Sequence, residues 1–316
     1  MPPESIRAAT MPPESALEVL ATGPLTLVQD AGRPGWAHLG VPASGAADRG
    51  ALRAANRLVG NEPGAAVLES VLGGLVVRAW GTLLVAVTGA PTSAWLERGG
   101  SWAPIRHPSG SSMVVRNGEV LRLDPPATGL RTVLAVRGGI EVAAVLGSRS
   151  ADVLSGLGPA PIRPGDVLHL GDSVGEWPAA DLLPSTIGWR PSGVLTVLRG
   201  PHDDRFGAAG WRQLVETAWV TSARSNRVGV RLDAPDPAAP GWAAVATGRS
   251  EGMVAGAVQV PPGGQPVVFL RDHPVTGGYP VIGVLTEASI DLAAQLRPGD
   301  PVRFGDGDGP GIRGAA

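Results

Sequence analysis

The sequence predicts a mainly β protein with a few short helices, and three observations carry that prediction. Gly 46 and Pro 31 make up about a quarter of the 316 residues, with no Gly-X-Y period. They fall between short runs rich in Val and Leu, which is the pattern of strands separated by turns. Hydrophobic residues reach 43% and charged residues only 17%, enough for a substantial buried core.

Taken in order, the chain opens with "MPPESIRAATMPPESALEVL", which repeats MPPES and lacks the apolar stretch of a secretory signal. Residues 1–22 are therefore expected to be a disordered leader. Strand-like runs follow at "LTLVQD" (25–30), "LLVAVTG" (83–89), "SMVVRNG" (112–118), "TVLAVRG" (132–138) and "DVLHLG" (166–171). Beyond position 190 come "VLTVLRG" (194–200), "VGVRLD" (228–233), "GAVQVP" (256–261), "PVVFLRD" (266–272), "PVIGVLT" (280–286) and "PVRFG" (301–305). Helical spacing is clearest in "DRGALRAANRLVG" (48–60), where Leu52, Ala55, Leu58 and Val59 share a face, Asp48 can cap the start and Gly60 the end. "GAAGWRQLVE" (207–216) and "ASIDLAAQL" (288–296) are shorter helical candidates.

The chain also resembles itself. "IRPGDVLHLG" (162–171) and "LRPGDPVRFG" (296–305) share Arg-Pro-Gly-Asp, and each follows a strand ending in Arg. Two diverged copies of one β unit explain this, as does the plain suitability of Pro-Gly-Asp for a turn before a strand. The expected halves are 23–185 and 191–306, with a Pro-rich link over 175–193 and a flexible tail over 307–316. The Gly309-x-Gly311-x-x-Gly314 spacing in that tail has no helix after it and is not read as a dinucleotide fingerprint.

Composition removes several classes of function. A formal net charge of −2 gives no field for nucleic acid or an anionic membrane surface. No apolar run approaches the ~20 residues that span a bilayer, so a cytoplasmic protein is expected. Without cysteine there are no disulfides, zinc-thiolate sites or thiol nucleophiles. All 26 basic residues are arginine. A chain without lysine cannot carry covalent biotin, form a Schiff base or build a Walker loop.

Two clusters can carry chemistry. In "VQDAGRPGWAHLGVPASGAADRG" (28–50), Asp30, Arg33, His38 and Ser44 precede the helix at Asp48. Such a Gly-rich loop before a helix suits an anion, with Arg33 as a bidentate partner. Equally, Ser44 or Asp48 caps the helix and Asp30 pairs with Arg33. The second cluster is "RDHPVTGGYPVIG" (271–283). There Gly277-Gly278 permits close backbone approach, Thr276 and Tyr279 supply hydroxyls, and Asp272 or His273 is a candidate general base. A simple strand–turn–strand with Tyr279 over the core remains the alternative. Gln259 lies amid apolar residues of a strand and needs partners if buried. The His-Asp-Asp run at 202–204 lacks companion ligands, so no metal is expected.

The ordered blocks "TLVQDAGRPGWAHLGVPASGAADRGALRAANRLVGN", "ESVLGGLVV", "VTGA", "LAVRGGI", "LGSRSAD", "GPHDD", "SNRVGVRL", "EGMVAGAVQVPPGGQPVVFLRDHPVTGGYP" and "QLRPGDPVRF" resemble the family of C-type 5-oxoprolinase subunits, also called allophanate hydrolase subunit 2 or the biotin-dependent carboxyltransferase-like family. The resemblance runs from about residue 25 to 304. It implies two related cyclophilin-like β-barrel units and, as partners, homologous subunits of the B type together with one of the A type. The implied activity is ATP-dependent opening of the 5-oxoproline lactam to L-glutamate, with ATP and Mg2+ acting at the level of the complex. For that activity the two clusters and Gln259 supply the candidates: Asp272, His273, Tyr279 and Asp30 as catalytic groups, and Arg33, His38, Ser44, Asp48, Gln259, Thr276, Gly277 and Gly278 to bind substrate or anion. Two other roles are compatible with it. One is a carboxyltransferase acting on a urea-like amide with a separate biotin carrier; the other is non-catalytic, regulating or binding a B-type partner. Asp-His-Pro-Val stands where many members carry Gln or Arg followed by Thr-Thr, which implies a difference in substrate choice.

Overall fold

The computed structural model describes residues 15–105, 109–172, 174–183, 194–235 and 247–307. Residues 1–14 of the expected leader, 308–316 of the tail and part of the Pro-rich link lie outside them. Within the described residues the chain is mainly β, with three α-helices, as the turn-rich pattern predicts. The leader expectation fails over Ala16–Thr22, which forms a strand with Ala16, Leu17 and Val19 fully buried. Its alternation of Leu17 and Val19 inward was legible but short.

The first half packs two antiparallel sheets face to face. One runs in the order Ile140–Glu141, Val167–Leu170, Ala16–Thr22, Leu75–Trp80, Val120–Leu123, Ala94–Arg98, Ser101–Pro104. The other runs Leu25–Gln29, Val67–Val71, Arg131–Val136, Leu83–Gly89, Ser111–Val115. Leu17, Val77 and Leu121 of the first meet Leu68, Val85 and Leu134 of the second in one core. Arg131–Val136 is buried on both faces. By the two-residue period of a strand, Leu134 and Val136 fill the inter-sheet core, while Val133 and Ala135 meet a helix on the far side. That helix, α1 (Arg49–Val59), packs Leu52, Ala55, Leu58 and Val59 there. Asp48 caps it by accepting from the Ala51 N–H (2.8 Å), and Gly60 ends it in the left-handed region, both as predicted.

The second half is a closed seven-stranded barrel: Val194–Arg199, Val281–Leu285, Ala257–Gln259, Val267–Phe269, Gly229–Asp233, Trp219–Thr221, Pro301–Asp306. The last strand pairs in parallel with the first and closes it. In the first half Leu25–Gln29 pairs only with Val67–Val71, and among the described residues no ladder joins its two sheets. α2 (Asp203–Glu216) starts earlier than predicted and bends at Gly207, whose φ of 60° breaks the helix where its spacing begins. α3 (Glu287–Ala293) sets Ile290 and Ala293 into the barrel core.

The internal repeat is visible atom by atom. Asp166 accepts from the Arg163 N–H and Asp300 from the Arg297 N–H, both at 2.8 Å. Gly165 and Gly299 then donate to the carbonyls of Val19 and Thr221, whose own N–H groups donate to Asp166 and Asp300. A good turn sequence alone explains the turn, but not the same docking onto a strand in each half. Two related β units explain both.

Candidate functional site

The seam between the halves is where the sequence motifs meet. Asp272 is fully buried, and donors from three separate segments converge on it. Ser44 Oγ donates to Oδ1 at 2.8 Å, Val153 N–H to Oδ2 at 3.1 Å, and Arg227 Nε to Oδ2 at 2.9 Å. The same arginine donates to the Gly45 carbonyl (2.6 Å) and to Glu69, which also accepts from the Ala47 N–H (2.8 Å). Arg131 lies beside Glu69 at 3.5 Å. Two carboxylates and two guanidinium groups, each at most 3% exposed, thus neutralise one another across the seam. The pairing with Glu69 and Asp272 holds the Arg227 guanidinium firmly charged despite its burial.

Ser44 reaches Asp272 from a backbone with φ of 53°, a conformation a serine adopts rarely. Asp30 does not pair with Arg33. Its carboxylate accepts from Ser148 Oγ (2.6 Å), Ser150 Oγ and the Arg149 N–H (2.6 Å), and so holds the "LGSRSAD" turn. Arg33 is buried and donates to the Ser150 and Val145 carbonyls, leaving its Nη1 without a partner among the described residues. These groups shape the loops and face inward.

The loops so held enclose an open cleft of about 450 Å³, lined by His38, Pro42, Leu154, Ser155, Val275 and Thr276 among others. Among the described residues its lining presents one imidazole, two hydroxyls and apolar surface, with no arginine and no acid. Ser155 Oγ donates to Asp152 (2.7 Å) and accepts weakly from the Leu157 N–H (3.4 Å), which leaves one lone pair of its oxygen unused. The first loop and the "DHPVTGGYP" loop therefore do converge. Of the candidate residues, His38 and Thr276 line this cleft, while Asp272, Asp30, Arg33 and Ser44 support it from behind. Asp48 sits at the seam, where burial and then the neighbouring Asp291 push its carboxyl up to about 6; it accepts from Gln295 Nε2 at 2.7 Å.

His273 is buried against Phe269, with Nδ1 donating to the Pro274 carbonyl at 2.8 Å. Burial lowers its pKa, so it stands as a neutral imidazole at pH 7. Gln259 finds the partner its burial demanded, donating to the Tyr279 carbonyl at 2.8 Å. Gly277 continues from Thr276 into a two-stranded ribbon with Glu251–Gly252, and Gly277, Gly278 and Tyr279 line a tight crevice beside it. The His202-Asp203-Asp204 run is dispersed: His202 Nδ1 accepts from the Val281 N–H (3.1 Å) and Asp203 pairs with Arg199 (2.8 Å). Glu69 and Arg131 escaped the sequence reading. A lone glutamate inside "AAVLESVLGG" was the available signal, since a charge in an apolar strand demands a buried partner.

Comparison with known proteins gives the same picture over the whole chain. It is 36% identical to the C-type 5-oxoprolinase subunit of Escherichia coli K12, over 91% of this chain and 90% of that protein. The Haemophilus influenzae counterpart is 29% identical, over 91% and 90%. The urea amidolyase of Lachancea kluyveri is 32% identical over 92% of this chain, which spans only 17% of that protein. The crystal structure of TTHA0988 superposes with a TM-score of 0.81 at 36% identity, covering 96% of this chain and 57% of that one. The K. lactis urea amidolyase gives 0.81 at 31% identity, with 96% and 19% covered. The carboxyltransferase domain, subdomains A and B, matches residues 39–306, a span that takes in most of the first half, all of the second and the buried charges of the seam. The chain therefore belongs to the carboxyltransferase domain A and B family.

Proposed function

We propose that this chain is the C-type subunit of an ATP-dependent 5-oxoprolinase and opens the 5-oxoproline lactam to L-glutamate together with B-type and A-type partners. The observation that carries this reading is the end-to-end match to the Escherichia coli C-type protein, 91% of one chain against 90% of the other. The cleft suits the chemistry. A lactam offers one carbonyl acceptor and one N–H donor, and the Thr276 hydroxyl and the Ser155 oxygen offer the complementary pair.

Hydrolysis needs the amide carbon made electrophilic, which phosphorylation of its oxygen by ATP supplies. The cleft does not fit the nucleotide itself, because no cation lines it and the chain has no lysine. ATP and its Mg2+ are therefore assigned to a partner. On this chain Thr276 would orient the lactam oxygen, and His38 would take a proton from the attacking water as the C–O bond forms and return it to the ring nitrogen as the C–N bond breaks; a second water would then release the transferred phosphoryl group as phosphate. Asp272 acts as a positioning residue, with both of its oxygens already committed to donors.

Reconstitution tests the reading. The chain is mixed with its B-type and A-type partners, and glutamate and ADP are followed from 5-oxoproline and ATP, omitting each protein in turn. Glutamate formation that stops without this chain is the expected result; undiminished formation without it overturns the assignment. The urea amidolyase superposition favours a second reading, carboxyl transfer to a urea-like amide. Carboxylation of urea with a separate biotin carrier, and no 5-oxoproline turnover, would select it. An intact complex with neither activity would leave a regulatory role.

A further inference from the structure

The cleft that holds His38 and Thr276 is open, and its mouth is apolar. Ala37–Leu39 forms a single 3-10 turn in which no residue is buried. Leu39, between the lining residues His38 and Gly40, is 63% exposed. Leu154, itself part of the lining, is 48% exposed, with Val153 beside it at 45%. On the wall made by Pro274, Val275 and Thr276, the Val275 carbonyl accepts from the Met253 N–H (2.8 Å), which sets Val254, 54% exposed, one residue from that wall. A lone exposed apolar side chain is ordinary; four around one cleft, drawn from three segments, mark a surface built to be covered.

The cleft also lacks a charge that its proposed occupant needs. 5-Oxoproline is an anion at neutral pH, and phosphorylation of its oxygen adds negative charge. Among the described residues the lining holds no arginine, and the chain has no lysine. Arg33, the buried arginine of the same loop, donates to the Val145 and Ser150 carbonyls, and His38 is assigned to the attacking water. A carboxylate in such a cleft gives up hydration without gaining a counter-charge, and a cation brought by another chain removes that penalty. In TTHA0988 this fold makes up 57% of the chain, so there further protein is tethered to it.

We infer that the rim of Leu39, Val153, Leu154 and Val254 is the docking face for the B-type partner. That partner lays apolar surface on the rim and directs an arginine or lysine into the cleft to pair with the substrate carboxylate. Docking closes the cleft, keeps bulk water from the reacting carbon and completes the charge of the site. The inference rests on the proposed function for the identity of the partner and of the carboxylate.

Because the chain has no cysteine, a thiol introduced at one position is its only one. Leu39→Cys and Leu154→Cys are alkylated with iodoacetamide with and without the B-type partner, and modification of this chain is read by mass spectrometry. Val194→Cys, an exposed position on the parallel pair that closes the barrel, is the control. Saturating partner is expected to slow alkylation at both rim positions at least about tenfold and to leave the control unchanged. Calorimetric titration then compares 5-oxoproline with 2-pyrrolidinone, the same lactam without its carboxylate. The complex should prefer 5-oxoproline at least about tenfold, a preference that neither protein shows alone. Free-chain alkylation rates at both rim positions in an intact complex, equal slowing at the control, no complex at micromolar concentration, or a carboxylate preference absent from the complex or already present in this chain alone would overturn the inference. Rim protection and no 5-oxoproline turnover in the full assembly would keep the docking face and remove the lactam-opening reading. Turnover with both rim thiols unprotected would do the reverse.

Discussion

At Asp272 a full negative charge sits without exposed surface, balanced by a guanidinium, a hydroxyl and a backbone N–H. Asp272→Ala leaves Arg227 and Arg131 to share Glu69 as the one carboxylate of the cluster and is expected to cost about 3–5 kcal/mol, read from urea unfolding. Unaltered stability with abolished turnover would instead make Asp272 a catalytic residue. Asp48 gives a pH signature. Its folded value of about 6 lies above the ordinary 3.8, because burial and Asp291 disfavour the charge. The fold therefore binds that proton more tightly than the unfolded chain does. The stabilisation is complete below about pH 4 and is lost as pH rises through about 6, up to about 3 kcal/mol. Asp291, raised by its own burial, acts in the same direction; Glu287, lowered by Arg271, acts in the opposite one. The groups facing Asp48 are Asp291 and Gln295 from the α3 side, Glu69 from its strand and the Ala51 N–H of α1. Stability is expected to fall from pH 5 to pH 7 in the native chain and less steeply in Asp48→Asn; an unchanged slope would place the proton on Asp291. Of these residues the sequence showed Asp48 as a cap but not its burial, which comes from α3, more than two hundred residues away in the chain.

The ribbon Glu251–Gly252 with Thr276–Gly277 is two residues long on each side, and two pairs of backbone bonds do not hold a loop by themselves. Gln259 adds the fixing bond to the Tyr279 carbonyl. Gln259→Met keeps the volume and removes the amide. Its unfolding free energy should move by less than about 1.5 kcal/mol, while ligand affinity at the Thr276–Tyr279 loop falls about tenfold. A loss of stability without a loss of affinity would mean that Gln259 serves only the barrel core. At this scale the sequence was most readable where one period ran uninterrupted. α1 appears within a residue of its predicted ends because its cap, apolar face and terminal glycine agree. Leu75–Trp80 alternates buried and half-buried residues, but the half-buried Val76 and Trp80 are themselves apolar, which blurs the alternation in the sequence. Val120–Leu123, Ala94–Arg98 and Ser101–Pro104 are short, and tertiary pairing, not local propensity, makes them strands.

Across the whole molecule the halves share buried charges, so neither is complete alone. Gln295 shows how tightly they are joined. Its Oε1 accepts from the Leu130 and Arg131 N–H groups, and its Nε2 donates to Asp48 and the Arg131 carbonyl. Asp291 on α3 accepts from the Arg49 and Gly50 N–H groups and so caps the start of α1 in the other half. Far-UV circular dichroism and tryptophan fluorescence should report one coincident unfolding transition; two separate midpoints would show the halves to be independent. The internal repeat made the division into halves legible, whereas the seam was not, because its pairs lie far apart in sequence. Glu69 and Arg227 are separated by 158 residues. On the ribosome the first half emerges with Glu69 and Arg131 beside each other and the Arg227–Asp272 pair that completes the cluster not yet made. Until residues 227–272 leave the exit tunnel, that face keeps its water and its charges, and a chain stopped short of Arg227 has nothing to cover them.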